Sequence, residues 1–236
     1  MSDVRSLPRV AAIATLASRQ ETFEKVLPVI RAQEGHVFIY LDGYATPPAF
    51  LQGLDRVTVR HAEAVGDLHC SSRFLCLREL AGPSVVAIVD DDIVYPQDYV
   101  AVLTEVLQQL EGKAIVGVHG RVFVPPHQSY IRDALMQGFA SGLARPSHVH
   151  ELGTGTCAFV SDRFPIDPRE WDRTDMDDII VATEAQKRGL PRVMVPRPPG
   201  WLKPLAELQA DSLWARTQKD DTEQSRRMRA LLALYS

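Results

Sequence analysis

The chain has 236 residues, 45% of them hydrophobic and 24% charged, enough for a sizeable core in one large domain or two small ones. Its formal net charge of −4 gives no basic footprint, which excludes nucleic acid or an anionic membrane as the principal partner. Cys70, Cys76 and Cys157 are odd in number and form no Cys-x-x-Cys pair, arguing against a disulfide framework or a thiolate zinc site and for a reducing compartment. The apolar run Val10–Leu16 is too short for a secretory leader, and no apolar stretch reaches the ~18 residues of a membrane span, so a soluble cytoplasmic protein is expected.

The predicted elements run as follows. "RVAAIATL" reads as a first strand, and "FEKVLPVIRAQ" as a helix with Phe23, Val26, Leu27 and Ile30 on one face, kinked or started late by Pro28. "HVFIYLDG" (His36 to Gly43) is a second strand closed by an Asp-Gly turn, and "RVTVRHA" (Arg56 to Ala62) a third. "HCSSRFLCLREL" carries Cys70, Phe74, Leu77 and Leu80 at helical spacing, and Val85 to Val89 form a fully apolar fourth strand. "YPQDYVAVLTEVLQQLEG" is the clearest helix, with Pro96 near its start and Gly112 as its stop. "AIVGVHG" (Ala114 to Gly120) is a further strand, after which Arg121 to His150 is expected to be long and partly irregular, the kind of connection that often binds ligands. "GTGTCAFVS" (Gly153 to Ser161) turns into a strand, "DMDDIIVATEAQKRG" is a helix, and "PRVMVPR" is the last strand. Two helical segments follow Pro204, the second with Met228, Leu231, Leu232 and Tyr235 facing one way. Short apolar runs alternating with helical segments predict an α/β fold, a mostly parallel central sheet flanked by helices.

The fourth strand drives into three consecutive acids, Asp90, Asp91 and Asp92. Two unit charges about 4 Å apart repel by about 4 kcal/mol at an effective dielectric of about 20, so such a cluster at the mouth of a core strand calls for positive charge nearby. Ligands of open α/β sheets gather at the carboxyl ends of strands. Hard oxygen ligands on a short turn suit Mg²⁺ or Mn²⁺, held by one or two carboxylates and substrate phosphates. The competing reading is a solvated turn that caps the following helix.

"VVAIVDDDIVYPQDYV", with "ATLASR" and "FEKVLPVIRAQ" upstream, resembles the GT-A glycosyltransferases, particularly the family-2-like enzymes of bacterial surface-polysaccharide clusters, over roughly Val10 to Trp201. The resemblance implies a GT-A catalytic domain over 1–204, with a nucleotide-binding half over about 1–118 and an acceptor half over 119–204, followed by a helical extension at 205–236. It implies an Asp-x-Asp motif in which Asp92 contacts a divalent cation and Asp90 meets the ribose or a metal-bound water, with Asp91 beside them. Thr15, Ser18 and Arg19 occupy positions that meet base and ribose; for Ser18 a helix N-cap and for Arg19 a surface charge are equally open. Asp42 either meets the base or simply makes the Asp-Gly turn. "AVGDLHCSSRF" resembles a loop whose acid reads the base edge, which nominates Asp67, equally open as the N-cap of its helix, with Arg73 as a phosphate partner.

On the acceptor side, "WDRTDMDDIIVATEAQKRGLP" resembles the family's acidic helix start, implying Asp178 first and Asp177 second as the base of an inverting transfer. Acids in a first helical turn also complement the helix dipole, by about 0.3–1 kcal/mol each. Gly153, Thr154, Gly155 and Thr156 would line the sugar pocket, as would Arg197 and Trp201, through diphosphate pairing and ring stacking. The family's late metal-binding His has no counterpart after His150; His119 is a substitute or a satisfied core histidine, and His148 and His150 are within reach of the Gly-Thr turn.

These residues imply a metal-dependent inverting transferase moving a sugar from a nucleotide-diphosphate donor, UDP-linked by preference, to a glycan or lipid-linked acceptor. A nucleotidyltransferase would share the sheet and the acids, but "ATLASRQETF" lacks its glycine-rich triphosphate loop. A non-catalytic nucleotide- or glycan-binding subunit is the other alternative. Arg226, Arg227 and Arg229 beside Leu231, Leu232 and Leu234 would either rest on the inner face of a membrane or pack on the domain or a second subunit; Asp220, Asp221 and Glu223 favour packing, so membrane contact is at most peripheral.

Overall fold

The computed structural model describes residues 3–33, 35–66, 68–205 and 216–235. Its strands and helices are β1 (Arg9–Leu16), α1 (Gln20–Arg31), β2 (His36–Asp42), β3 (Val57–His61), β4 (Val85–Val89), β5 (Ile93–Val94), α2 (Tyr99–Gln109), β6 (Ile115–Gly117), β7 (Gly120–Phe123), β8 (Ala134–Gln137), β9 (Ser147–Val149), β10 (Glu151–Leu152), β11 (Thr156–Val160), α3 (Asp177–Lys187), β12 (Arg192–Met194), β13 (Lys203–Pro204) and α4 (Thr222–Leu232). Eight strands form the central sheet in the order β3-β2-β1-β4-β11-β6-β12-β9. β1 to β4 are mutually parallel, β6 and β12 run with them, and β11 and β9 run against them. This is an α/β architecture with a mostly parallel sheet between helices, compatible with a Rossmann-like fold.

The central strands are buried almost continuously, as a sheet covered on both faces requires, and successive residues enter opposite cores. Val85, Ala87 and Val89 of β4 join a core beneath α1 and α2, together with Phe23, Leu27, Leu103 and Leu107. Val86 and Ile88 point the other way, into a core completed by Phe74, Leu75 and Cys76 and by Val181 and Ala185 of α3. A third cluster seats Met228 and Leu231 of α4 on Ile179 and Ile180 of α3 and on Phe123.

One expectation is refined and two change. Residues 121–150 are partly irregular, as expected, but also carry strands: β7 and β8 form a three-stranded antiparallel sheet with β10, and β9 joins the edge of the main sheet. Residues His69–Arg78 form a 3₁₀ segment, not an α-helix. Pro28 stands inside α1, which begins early, at Gln20. The first of the two expected C-terminal segments falls mostly at 206–215, outside the described residues. Among the described residues no helix is long and apolar enough to cross a membrane.

Candidate functional site

Chain order in the sheet reverses between β1 and β4: from β1 the chain moves outward to β2 and β3, then returns to lay β4 on the other side. Ligands of open α/β sheets bind in the crevice at such a point, outside the carboxyl ends of the strands. The register fills that crevice with polar groups. Ile13 pairs with Val89, so β1 runs on past the end of β4 and carries Thr15 alongside the acidic triplet. Leu16 pairs with Asp42, which sets the β2 carboxylate at the same rim. Thr156 of antiparallel β11 pairs with Val89, so Gly155 and Asp90 leave the sheet side by side.

Two adjoining cavities open there. The first, about 450 Å³, is lined by Thr15, Arg19, Asp42, His69, Asp90 and Asp91 among others. The second, about 270 Å³, is lined by Asp92, His119, Gly153, Thr154, Gly155 and Asp178 among others. Arg19, Cys70, Arg73, Asp90 and Asp175 line both.

The three aspartates have different environments. Asp91 is buried and accepts a hydrogen bond from the Thr15 hydroxyl at 2.6 Å, with Arg19 Nη1 at 3.4 Å. Burial raises its pKa, and Thr15 and Arg19 oppose the rise. Asp90 takes the Arg73 guanidinium on Oδ1. Its backbone N–H donates to the Tyr95 phenol at 2.8 Å, and that phenol donates to the Gly155 carbonyl at 2.5 Å. Asp92 has only Arg19, at 3.7 Å, as an ion-pair partner among the described residues. Burial, then the like charges of Asp90 and Asp91, push its pKa up to about 7. The turn is pinned from outside by Leu205 N–H on the Asp92 carbonyl and by the pairing of β13 with β5.

Across the second cavity α3 presents two acids in its first turn, with distinct surroundings. Asp177 is buried, accepts from the Ser71 hydroxyl, and lies 3.4 Å from Arg73 Nη2. Burial raises its pKa against the pull of Arg73. Asp178 is half-buried and takes two hydrogen bonds from Thr154 on Oδ1, from N–H at 2.8 Å and from Oγ1 at 2.7 Å. No described residue donates to its other oxygen. Arg73 connects these groups: it is 5% exposed, binds Asp90, Asp177 and the Val89 carbonyl, and donates to Thr154 Oγ1 at 2.9 Å. Burial disfavours its charge, but Asp90 and Asp177 more than offset that and raise its pKa.

His119 sits over Gly153, where a Cβ would overlap the imidazole, and its Nδ1 lies 2.9 Å from Thr156 Oγ1. Burial lowers its pKa, favouring the neutral ring. His119 therefore lines the cleft, whereas His148 and His150 line a separate cavity beside Arg192 and Tyr235.

Other predicted residues fall elsewhere. Ser18 is exposed in a 3₁₀ turn, Ala17–Arg19, and lines neither cavity; it is not the cap of α1 either, since that position is Arg19. Arg197 and Trp201 also line neither cavity, which corrects their assignment to the sugar pocket. The buried Arg197 guanidinium donates to the carbonyls of Val195 (3.1 Å) and Gly138 (3.2 Å). Trp201 lies tilted against Tyr99, 5.7 Å between ring centroids, and reaches Asp98 through Nε1 at 3.3 Å, so ring contact holds the chain to α2. Asp67 lies outside the described residues. The sequence reading missed Ser71, and it missed the buried trio Arg121, Tyr130 and Glu151 behind Asp178. Glu151 pairs with Arg121 Nε at 2.9 Å and accepts from Tyr130 at 2.6 Å, while burial and the charge of Asp178 push its pKa up to about 7. A lone Glu after His150 carries no local signal for that role.

Among the described residues no three His, Cys, Asp or Glu side chains are grouped to hold a metal ion by themselves. The donor set nonetheless fits a hard divalent cation: Asp90 and Asp92 supply carboxylate oxygens at one cavity wall, and Mg²⁺-type ions take their remaining ligands from water and substrate phosphate. Compared with known proteins, the chain matches no family model and no curated protein.

Proposed function

We propose that this protein is a GT-A-type glycosyltransferase that moves a sugar from a nucleotide-diphosphate donor, a UDP-sugar by preference, to a hydroxyl of a glycan or lipid-linked acceptor, with inversion. The observation that carries the reading is the acidic triplet at the end of β4, at the reversal of strand order, of which Asp90 and Asp92 share one cavity with Asp178, a carboxylate with one oxygen that no described residue engages.

The first cavity has room for the nucleoside, with Asp42 and Thr15 at its wall. The diphosphate then lies between Arg19 and Asp90–Asp92. Asp90 and Asp92 would hold a divalent ion, which would supply positive charge to offset that of the leaving diphosphate. Thr154 stands at the cavity wall where the sugar would lie, between Gly153 and Gly155, whose missing side chains make room for His119 and for the Asp90 carboxylate. Asp178 takes the proton of the acceptor hydroxyl as its oxygen forms the bond to the anomeric carbon, on the face opposite the departing diphosphate. Asp177 is tied into Arg73 and Ser71 and serves to hold Arg73.

A thermal-shift panel of UDP, GDP, CDP and TDP, with and without Mn²⁺, tests the reading. A ligand at 100 times its Kd stabilises by about 2.7 kcal/mol. One nucleotide should raise Tm in a Mn²⁺-dependent way, Asp92→Asn should remove that shift, and the same nucleotide's sugar should be transferred. If none of the four moves Tm with or without the metal, the reading is wrong.

A further inference from the structure

We propose that Thr154 is the positioning residue of the acceptor base, that Arg73 fixes the direction of its hydroxyl, and that the two join donor-side Asp90 to Asp178 in one chain of hydrogen bonds. This inference rests on the reading of Asp178 as the base.

A threonine hydroxyl has one hydrogen to give, and a guanidinium only donates. Arg73 Nη2 stands 2.9 Å from Thr154 Oγ1 and occupies an acceptor position of that oxygen. The hydroxyl's own hydrogen is then committed to Asp178 Oδ1, 2.7 Å away, where it is joined by the Thr154 N–H at 2.8 Å. Terminal torsions of aspartate are broad, so an unheld carboxylate samples a wide arc. With Oδ1 held twice, Oδ2 is the oxygen left to meet an acceptor. Charge-assisted bonds of the kind Arg73 makes are about twice as strong as neutral ones. Arg73 itself has little freedom: it is buried, gripped by Asp90 and Asp177, and Ser71 braces Asp177 in turn. Displacing Asp90 therefore removes one of the two carboxylates that hold the guanidinium aiming Thr154. Donor-side geometry and base geometry are linked through two side chains that need touch neither substrate.

Three full-length variants test this: Thr154→Val, Thr154→Ser and Thr154→Val combined with Asp178→Asn. Thr154→Val is close in shape and keeps the N–H bond; it should lower kcat by about 10- to 100-fold and leave donor KM within about 2-fold. Thr154→Ser, which keeps the hydroxyl, should recover most of the rate. The double variant should be no slower than Asp178→Asn alone, because both changes act on one group. Equal losses in the Ser and Val variants, a change confined to donor KM, or additive losses in the double variant would each overturn the proposal. A crystal structure of Thr154→Val gives a readout free of turnover: the Asp178 carboxylate should be rotated or doubly placed, and a carboxylate unchanged from wild type overturns the proposal. Wild type that holds Asp178 as described, and loses that hold in Thr154→Val, yet transfers no sugar from any donor would remove the glycosyltransferase reading and leave the positioning role standing.

Discussion

Gly155 lies directly beneath the carboxylate of Asp90, in the space that a side chain of its own would need. The two residues emerge together because Thr156 pairs with Val89, and the Tyr95 phenol ties their backbones. The backbone at Gly155 does not adopt a left-handed conformation, and the nearest atoms an alanine Cβ would meet are those of the carboxylate. Gly155→Ala should therefore fold but push Asp90 off Arg73. The expected outcome is a loss of roughly 100-fold in kcat/KM, about 2.7 kcal/mol of transition-state stabilisation, together with a weakened Mn²⁺-dependent thermal shift. Wild-type kinetics in that variant would remove Asp90 from the site.

The neighbouring acids of α3 should separate in their effects. Asp177→Asn leaves the buried Arg73 with one carboxylate fewer, and breaking a buried pair costs about 3 kcal/mol, or roughly 10 °C in Tm for a chain of this size. Asp178→Asn keeps an acceptor for both Thr154 bonds, so its stability should stay within about 1 kcal/mol of wild type. Its turnover should fall by about 100- to 1000-fold while the nucleotide-induced thermal shift persists. Calorimetry and kinetics on the pair check both halves, and a reversed pattern would exchange the roles assigned here.

The residues that were readable from the sequence are those whose signal is local. The apolar run Val85–Val89 against three aspartates announced a central strand ending at a site, because burial on both faces and charge at the mouth are written in adjacent letters. The Asp177 and Asp178 pair was visible as a charged first turn, but its division of labour was not. It depends on Ser71, Arg73 and Thr154, which lie 106, 104 and 24 residues away from the acids they hold. Trp201 misled because its ring serves equally for contact with a sugar or with Tyr99, and only the path of the chain after β12 decides. The strand pair β7 and β8 was hidden because Leu135 and Met136 are adjacent and both exposed, which breaks the apolar-polar alternation that marks a half-buried strand.

Glu151 should make stability depend on pH. Its pKa in the folded chain is raised to about 7, chiefly by burial, against an ordinary value near 4.5. A carboxyl raised in this way contributes stability fully below the unfolded value, and that contribution is lost as pH climbs through the folded value. The ceiling is roughly 3 kcal/mol between pH 4.5 and pH 8. Glu151→Gln keeps an acceptor for Tyr130 and Arg121 but cannot ionise. The Tm of the variant relative to wild type should accordingly rise from pH 5 to pH 8, and a difference that stays flat across that interval would mean Glu151 is ionised throughout.

The C-terminal helix α4 belongs to the domain. Met228 and Leu231 are fully buried against Ile179 and Ile180 of α3, so half of the apolar face expected from the sequence is used within the chain, while Leu232 is partly buried and Tyr235 exposed. The nearby basic residues are largely neutralised at short range, Arg226 by Glu223 and Arg227 by Glu223 and Asp172, which leaves little charge for an anionic surface. Asp221 also accepts from the Ser129 hydroxyl and the Ile131 N–H, tying the start of α4 to the turn that precedes β8. Truncating a buried methionine to alanine costs about 2–5 kcal/mol, so Met228→Ala should lower Tm by roughly 10 °C. Arg226→Gln with Arg229→Gln should leave co-sedimentation with anionic vesicles unchanged, because those side chains face solvent and local acids rather than lipid. A Met228→Ala variant with wild-type Tm but weakened vesicle binding would reverse this assignment and make α4 a surface anchor.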